Sequence, residues 1–212
     1  FECTQEQIAH VPSQINENTK AYVGQLEPGI FQKLPESLEH LYTSFPDKKI
    51  RRENVEIGGK SAEQLISEME AAGINISDSA KSMLENSEFV PGKNSEEVTL
   101  IRLTVADLGF KGSATIDQIF ERAQILGLEL CSADTGPAFR LEYRNQPLGV
   151  LYEWIYMGMK QITDCDGEPN VFQLVRTEDG LLLGGPWGVG YPEELRPDNE
   201  FVFRLPPKNK AA

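Results

Sequence analysis

The sequence that decides the fold begins with PAFRLEYR, residues 137–144, and continues through strand-like runs to residue 205. Apolar and charged residues alternate strictly in 137–144, and a period of two is typical of a half-buried β-strand. The alternation places Arg140, Glu142 and Arg144 together on one face of that strand. We therefore predict a strand that opens the carboxy-terminal sheet.

Further strands are predicted after this one. Residues 149–160 are apolar at nearly every position, which favours a central strand covered on both faces. The runs 171–175 and 181–183 flank a Thr-Glu-Asp-Gly turn at 177–180, and Asp-Gly between apolar runs is a strong hairpin signal. With a last run at 200–205, the sequence predicts an antiparallel meander of about four or five strands, a usual sheet size.

An amphipathic helix is predicted before the sheet, at residues 115–126. Thr115 and Gln118 have the spacing of a capping box, and apolar residues recur behind them at helical intervals. A helix of this kind buries its apolar face against a sheet. The fold class we expect is therefore α+β, with an antiparallel β-sheet packed against one amphipathic helix in residues 96–212.

The first part of the chain, residues 1–95, is predicted to be a separate small α+β region of short helices. Ser61 begins a helix with capping-box spacing, and Ser77 caps a second helix. Residues 90–96 (VPGKNSE) have the composition of a linker. We place the domain boundary there, so that the second domain covers residues 96–212.

The composition is that of a globular chain with a strong acidic excess. Its 212 residues include 40% hydrophobic residues and carry a formal net charge of -13. Affinity for nucleic acid comes mainly from Lys and Arg, and the basic cluster at residues 48–52 fits the solvated edge of a strand. We therefore expect no nucleic-acid partner. A nucleic-acid mimic is also disfavoured, because the carboxylates are scattered along the chain.

The sequence contains no apparent targeting or membrane segment, so we expect no membrane partner and a cytoplasmic location. Three cysteines, Cys3, Cys131 and Cys165, are far apart and odd in number, which fits neither a disulfide framework nor a zinc site. The chain begins with Phe1 rather than Met, and we expect it to be a fragment of a longer protein or a processed product.

Two short motifs have part of the spacing of a ligand loop. Residues 59–61 (GKS) follow a predicted strand as a phosphate-binding loop would, but Asn54 stands where that loop needs a glycine. Asp164 opens an acidic turn with calcium-like spacing, but the twelfth position is Val175, which cannot ligate. We interpret the first motif as a glycine turn with a serine cap and the second as a hairpin turn.

Catalytic groupings are not evident in the sequence. His10 and His40 lack the neighbouring acids or cysteines of a metal site or a triad. Cys131 follows a leucine-rich segment and is interpreted as a buried, inert thiol, although a pairing of Cys131 with a histidine as nucleophile and base is left open. We expect no metal and no cofactor, and no catalytic residue is assigned.

Five residues are predicted to border a ligand surface. Arg140 and Arg144 flank Glu142 at strand spacing, where two guanidiniums would clamp an anionic ligand or, equally, form a solvated salt-bridge row. Trp187 and Tyr191 lie in a loop rich in Gly and Pro. A rigid aromatic ring in such a loop serves as a binding anchor or folds back over the core. The hypothesis is that the arginines and the aromatic residues form one recognition surface.

Four segments of the chain resemble uncharacterised bacterial hypothetical proteins: residues 103–110, 128–131, 162–167 and 201–204. The resemblance covers mainly the second half of the chain. It implies a bacterial, cytoplasmic origin, and it brings no assigned function and no active-site residues.

The function predicted from these features is a non-enzymatic binding or interaction module, as part of a larger bacterial protein. Its partner would be an unknown protein or a small anionic ligand. The alternative is a hydrolase-like enzyme that uses carboxylates and arginines on a small anionic substrate. Acid–base catalysis requires two groups in one cleft with separated pKa values, and the sequence does not pair any of its many carboxylates.

Overall fold

The fold is described for residues 51–148, 154–185 and 194–206 of a computed structural model. These residues form four α-helices, a seven-stranded sheet and a two-stranded sheet. The mixed α+β class predicted from the sequence is confirmed.

The secondary-structure elements have the following bounds. The helices are α1 (Ala62–Ala71), α2 (Asp78–Glu85), α3 (Ile116–Ile125) and α4 (Thr135–Glu142). The strands are β1 (Arg51–Ile57), β2 (Asn75–Ile76), β3 (Glu96–Thr104), β4 (Ile155–Met157), β5 (Ile162–Thr163), β6 (Pro169–Asn170), β7 (Gln173–Thr177), β8 (Gly180–Gly184) and β9 (Glu200–Arg204).

The large sheet is mixed, and the prediction of an antiparallel meander is wrong. Its strand order is β1-β3-β9-β4-β7-β8-β2, with β4 parallel to β9 and β2 parallel to β8. A meander requires successive strands to be neighbours, but here two helices separate β3 from β4 and the last strand, β9, lies between them. The predicted hairpin is confirmed, because β7 and β8 pair antiparallel with Thr177 opposite Gly180.

Residues 137–144 do not form the predicted strand, because most of them belong to helix α4. Phe139 and Tyr143 are four residues apart, which puts them on one face of a strand and equally one turn apart in a helix. In the structure their rings stack with centroids 5.4 Å apart. Pro137 is compatible with the helix since it lies in the first turn, where backbone N–H groups have no partner within the helix.

Helix α4 lies inside the curve of the large sheet. It contacts β1 at one edge of the sheet and also β7 and β8 toward the other edge, and all its residues from Thr135 to Arg140 are buried. The packing is closest at Gly136, where a Cβ atom would lie 2.9 Å from Cβ of Phe172 and 3.2 Å from Cγ of Met157. The sheet therefore wraps around α4.

Helix α3 covers the opposite face of the sheet. The capping box predicted at Thr115 and Gln118 is confirmed. The ring of Phe120 meets those of Phe201 and Phe203 edge to face, with centroids 6.3 Å apart in each case. The expected packing of this amphipathic helix on the sheet is thus correct, but a single packing helix is not, because α4 fills the concave side.

Helices α1 and α2 follow the predicted capping residues. Ser61 forms a full capping box with Gln64 at the start of α1, and the Ser77 side chain accepts a hydrogen bond from the backbone of Ala80 at the start of α2. The interpretation of residues 59–61 as a glycine turn with a serine cap is confirmed, since Gly59 has a φ of 71° before the Ser61 cap.

Elements on both sides of the predicted boundary at residue 95 share the large sheet, because β1 pairs with β3 and β2 pairs with β8. The predicted linker is fixed to α4. Asp134, the N-cap of α4, accepts hydrogen bonds from the backbone N–H of Gly58 (2.8 Å) and Gly92 (3.1 Å). The division into residues 1–95 and 96–212 stays a prediction, and the helices expected in residues 1–50 lie outside the described ranges.

Candidate functional site

Four arginines gather where α4 ends. Arg102 of β3 and Arg140 of α4 are buried, Arg176 of β7 is half-buried, and Arg144 just after α4 is exposed. We call these four residues the arginine cluster. Their proximity follows from the fold, because Arg102 on β3 contacts Tyr143 at the end of α4 and Arg140 donates to the carbonyl of Val175, the residue before Arg176 on β7.

Arg140 is fully buried and holds the end of α4 together. Its Nη1 donates to Oε1 of Gln146 at 2.6 Å and to the carbonyl of Val175 at 3.5 Å, and its Nη2 donates to the carbonyl of Tyr143. A cation at this position also interacts favourably with the negative end of the helix dipole. Arg140 therefore links the helix end to the neighbouring strand β7.

The surroundings of Arg140 disfavour its positive charge. Burial lowers the pKa of Arg140 to about 10, and the nearby Arg176, Arg102 and Arg144 act in the same direction while Tyr143 opposes them. The guanidinium is still protonated at neutral pH. Since each of the other three arginines raises the cost of this charge, the cluster is a local concentration of positive potential.

Arg102 is the member of the cluster that has carboxylate partners. Its Nη2 lies 3.3 Å from Oε1 of Glu53 and its Nη1 lies 3.6 Å from Oε2 of Glu200. Its guanidinium also lies over the ring of Tyr143, 4.7 Å from the centroid, and that ring stacks on Phe139. The two carboxylates thus neutralise the charge of Arg102, and the ring of Tyr143 helps to hold its guanidinium in place.

Arg140, Arg144 and Arg176 form no ion pair within the described part of the chain. The Nε of Arg144 donates to the carbonyl of Leu141 at 2.8 Å. Alternation along β7 puts Arg176 on the same face as Leu174. The β4–β7 pairing places Leu174 opposite Ile155, and therefore on the face that also carries Met157. Met157 lies next to Gly136 of α4, so this face is the one toward α4.

The predicted row of Arg140, Glu142 and Arg144 is not a row in the structure. The helical turn buries Arg140 and exposes the other two residues. Glu142 accepts a hydrogen bond from the backbone N–H of Glu56 at 3.2 Å, which places it against the edge strand β1. The alternation predicted one polar face because it assumed a strand.

Exposed apolar residues lie beside the same end of the sheet. Trp154 is 41% exposed and directly precedes Ile155, which pairs with Glu200 and with Leu174. Leu148, two residues after Gln146, is 57% exposed. We predicted residues 149–160, which include Trp154, as a strand covered on both faces, so the exposure of Trp154 was not predicted.

The predicted aromatic anchors, Trp187 and Tyr191, lie outside the described residues, as do His10, His40 and Cys3. Their place on a recognition surface stays a prediction.

Cys131 is a buried thiol, as the sequence predicted. Burial raises the pKa of Cys131 to about 12, so the nucleophilic thiolate is not formed at neutral pH. The Sγ atom lies 3.6 Å from the carbonyl oxygen of Val202 and donates a weak hydrogen bond to it. Cys165, in contrast, is exposed on the turn after β5.

The acidic turn at Asp164 is confirmed as the turn of a hairpin, between β5 and β6. The Asp164 carboxylate accepts hydrogen bonds from the backbone N–H groups of Asp166 (2.9 Å) and Glu168 (3.1 Å), from Oγ of Ser79 (3.1 Å) and from Nδ2 of Asn170 (2.6 Å). Burial acts to raise the pKa of Asp164, but these hydrogen bonds outweigh it and hold the pKa below its usual value. The carboxylate therefore organises the turn and has little acceptor capacity left.

The described ranges contain no group of three or more His, Cys, Asp and Glu side chains arranged to hold a metal ion. None of their helices combines the length and the apolar content that crossing a membrane requires.

No family model, curated protein or solved structure matches the chain. The resemblance to bacterial hypothetical proteins stays a prediction.

Two of the four arginines of the cluster, Arg102 and Arg176, were not predicted from the sequence as site residues. Arg102 interrupts the otherwise apolar run of β3 (VTLIRLTV, residues 98–105), and a charged residue inside such a run signals a buried ion pair or a functional group. Arg176 closes the apolar run 171–175 in the same way. Neither signal says which of the arginines come together, since that depends on how the sheet curls.

Proposed function

We propose that this chain is a non-enzymatic binding module whose ligand docks where α4 ends, at the arginine cluster. The observation that carries the proposal is the convergence of four arginines in a chain with a net charge of -13. Three of them have no carboxylate partner in the described ranges. Nearby positive charges without a carboxylate partner destabilise a fold, and charged groups perturbed in this way cluster at functional sites.

The charged groups at this site suit binding better than catalysis. A guanidinium stays protonated at neutral pH, so the arginines cannot act as general bases. The two carboxylates that lie there, Glu53 and Glu200, both pair with Arg102. A hydrolase would need two carboxyl groups with pKa values set apart, one as acid and one as base, whereas both of these form an ion pair with the same guanidinium.

The exposed Trp154 supports a ligand with an apolar or planar part. Trp154 directly precedes β4, and the first residue of that strand, Ile155, pairs with Glu200 and Leu174. Arginine and tryptophan together are the residues most often found at the centre of binding surfaces. A protein segment or a small molecule would satisfy this arrangement.

The test is a residue-resolved binding assay with the ¹⁵N-labelled chain and a panel of small molecules, both neutral and anionic. We expect saturable amide shifts in residues 140–148, 154–155 and 174–177, with every ligand recovered chemically unchanged. Shifts confined to other parts of the chain would refute the proposed location. Turnover of a panel member that is lost in Glu53→Gln or Glu200→Gln would establish the hydrolase alternative instead.

A further inference from the structure

We propose that the arginine cluster is a site for a small dianionic oxyanion, of the phosphate or dicarboxylate type, with Arg144 and Arg176 as the contacting residues. This inference rests on the proposed function and assigns its ligand class. It is built from three observations: the absence of carboxylate partners, the graded exposure of the arginines, and the link from Arg140 to both contacting residues.

The first observation is the charge balance around the cluster. Arg102 is neutralised by Glu53 and Glu200, so the remaining positive charge belongs to Arg140, Arg144 and Arg176. Although Glu178 and Asp179 follow in the turn between β7 and β8, neither forms an ion pair with them. Within the described ranges the site therefore presents about two to three positive charges without a carboxylate partner, which a dianion would balance.

The second observation is that the three arginines differ in exposure. Arg144 is exposed, Arg176 is half-buried and Arg140 is fully buried. A ligand arriving from solvent would meet Arg144 and Arg176 first. Each guanidinium offers a rigid pair of N–H donors that matches two oxygens of a phosphate or a carboxylate. Two such guanidiniums favour an anion with two negative charges over a monoanion.

The third observation is the position of Arg140 behind the other two. It donates to the carbonyl of Val175, the residue before Arg176, and to the carbonyl of Tyr143, the residue before Arg144. The buried guanidinium thus fixes the backbone that carries both contacting arginines. Arg140 is a positioning residue, and its charge lies too deep for contact with a ligand.

The acidity of the whole chain does not prevent anion binding here. At physiological salt the screening length is about 8 Å, so most of the net charge of -13 acts weakly on a ligand at the cluster. The local arginines dominate over that distance. We therefore expect binding to weaken when the salt concentration is raised, as it does for other charge-assisted contacts.

The experiment measures the binding of inorganic phosphate and of succinate by amide shifts of the labelled chain at constant ionic strength, with acetate as the monoanion. We expect both dianions to bind and to shift the amides of residues 140–145 and 174–177, and acetate to bind at least about tenfold more weakly. Binding of phosphate alone would narrow the class to phosphates, and binding of succinate alone would narrow it to dicarboxylates.

The variants are Arg144→Gln and Arg176→Gln, each expected to weaken dianion binding by about tenfold or more, since each removes a charge-assisted pair of hydrogen bonds. Arg176→Lys keeps the charge without the paired donors and should be intermediate. The matched control is Lys81→Gln, which removes one exposed positive charge on α2 and should change the affinity less than about twofold. Arg144 is exposed, so its variant should retain the melting temperature of the parent.

Three results would overturn the inference: no binding of either dianion, equal affinity for acetate, or an equal loss of affinity in Lys81→Gln. Failure of the ligand class and failure of the proposed function are distinguishable. If neutral molecules shift the amides near α4 while dianions do not, the binding module stands and the anion assignment falls. If dianions bind and are also converted, the anion site stands and the non-enzymatic function falls.

Discussion

Substitution of Gly136 by alanine tests the central feature of the fold, which is that α4 is enclosed by the sheet. On an exposed helix the change from glycine to alanine is favourable by about 1 kcal/mol. Gly136 has an ordinary helical backbone, since it is not among the glycines with a positive φ. Any loss of stability in Gly136→Ala must therefore come from the space around the residue.

The magnitude follows from the packing at that position. The added Cβ would lie 2.9 Å from Cβ of Phe172 and 3.2 Å from Cγ of Met157, whereas carbon atoms pack at about 3.5–4.0 Å. The Cβ of Phe172 is bonded directly to the backbone just before β7 and cannot rotate away, so α4 and this backbone must separate. Overpacking of this kind costs about 1–3 kcal/mol. After subtracting the gain of about 1 kcal/mol in helix propensity, we expect a net loss of about 1 kcal/mol.

The assay is urea unfolding, followed by circular dichroism, of the parent, Gly136→Ala and a control. The control is Gly112→Ala, because a Cβ at Gly112 meets nothing within 4 Å, and we expect its free energy of unfolding to stay within about 0.5 kcal/mol of the parent. In a background that carries Met157→Ala, part of the cost at Gly136 should disappear, because the two side chains share the same space. A Gly136→Ala variant as stable as the parent would refute the enclosed helix.

Two further predictions concern single side chains. Asp164→Asn should lower the free energy of unfolding by about 2 kcal/mol at pH 7, because an amide cannot replace the carboxylate as acceptor of four hydrogen bonds. The folded-state pKa of Asp164 is held below its usual value, so the parent has this stability above about pH 4 and loses it as the pH falls through the folded pKa. Urea titrations should therefore show a smaller difference in unfolding free energy between parent and variant at pH 3 than at pH 7. A difference that stays constant would contradict the role of the charge. In the native protein at pH 8, iodoacetamide should alkylate the exposed Cys165 and leave the buried Cys131 unmodified until urea unfolds the chain. Peptide mass spectrometry would read both sites, and early modification of Cys131 would contradict its burial.

The parts of the fold that depend on neighbours in sequence could be predicted. The capping boxes at Ser61 and Thr115 and the hairpin between β7 and β8 each use residues within four positions of one another. Their hydrogen bonds form with local geometry alone, so the sequence contains the whole signal. The same holds for the turn that Asp164 organises through the N–H groups of the next few residues.

The order of the strands could not be predicted, because it is decided by long-range packing. Strand β9 takes its place between β3 and β4. Its consecutive apolar residues 201–203 are buried, which favours a central position but does not specify the neighbouring strands. Strand β2 is two residues long and pairs with β8 across about a hundred positions of sequence. Nothing within either segment specifies its neighbour.

The misreading of residues 137–144 has a different cause, since two periods coincide there. Phe139 and Tyr143 satisfy a strand alternation and a helical turn at once, and eight residues are too few to separate a period of 2 from one of 3.6. A helix buried on most sides also lacks the polar face that marks an amphipathic helix. Here the charged residue Arg140 occupies a buried position, which strengthened the appearance of alternation.

The correction from strand to helix also changes what the arginines can do. On a strand, Arg140 and Arg144 would share one face, both in contact with solvent and both available to a ligand. In the helix they lie one turn apart along the chain, but the end of α4 turns Arg144 outward while Arg140 donates to the carbonyls of Tyr143 and Val175. The proposed site therefore assigns ligand contact to Arg144 and a structural role to Arg140, two residues that the alternation treated as equivalent. In that proposal the second contacting residue comes from another element, as Arg176 of β7, since β7 contacts α4.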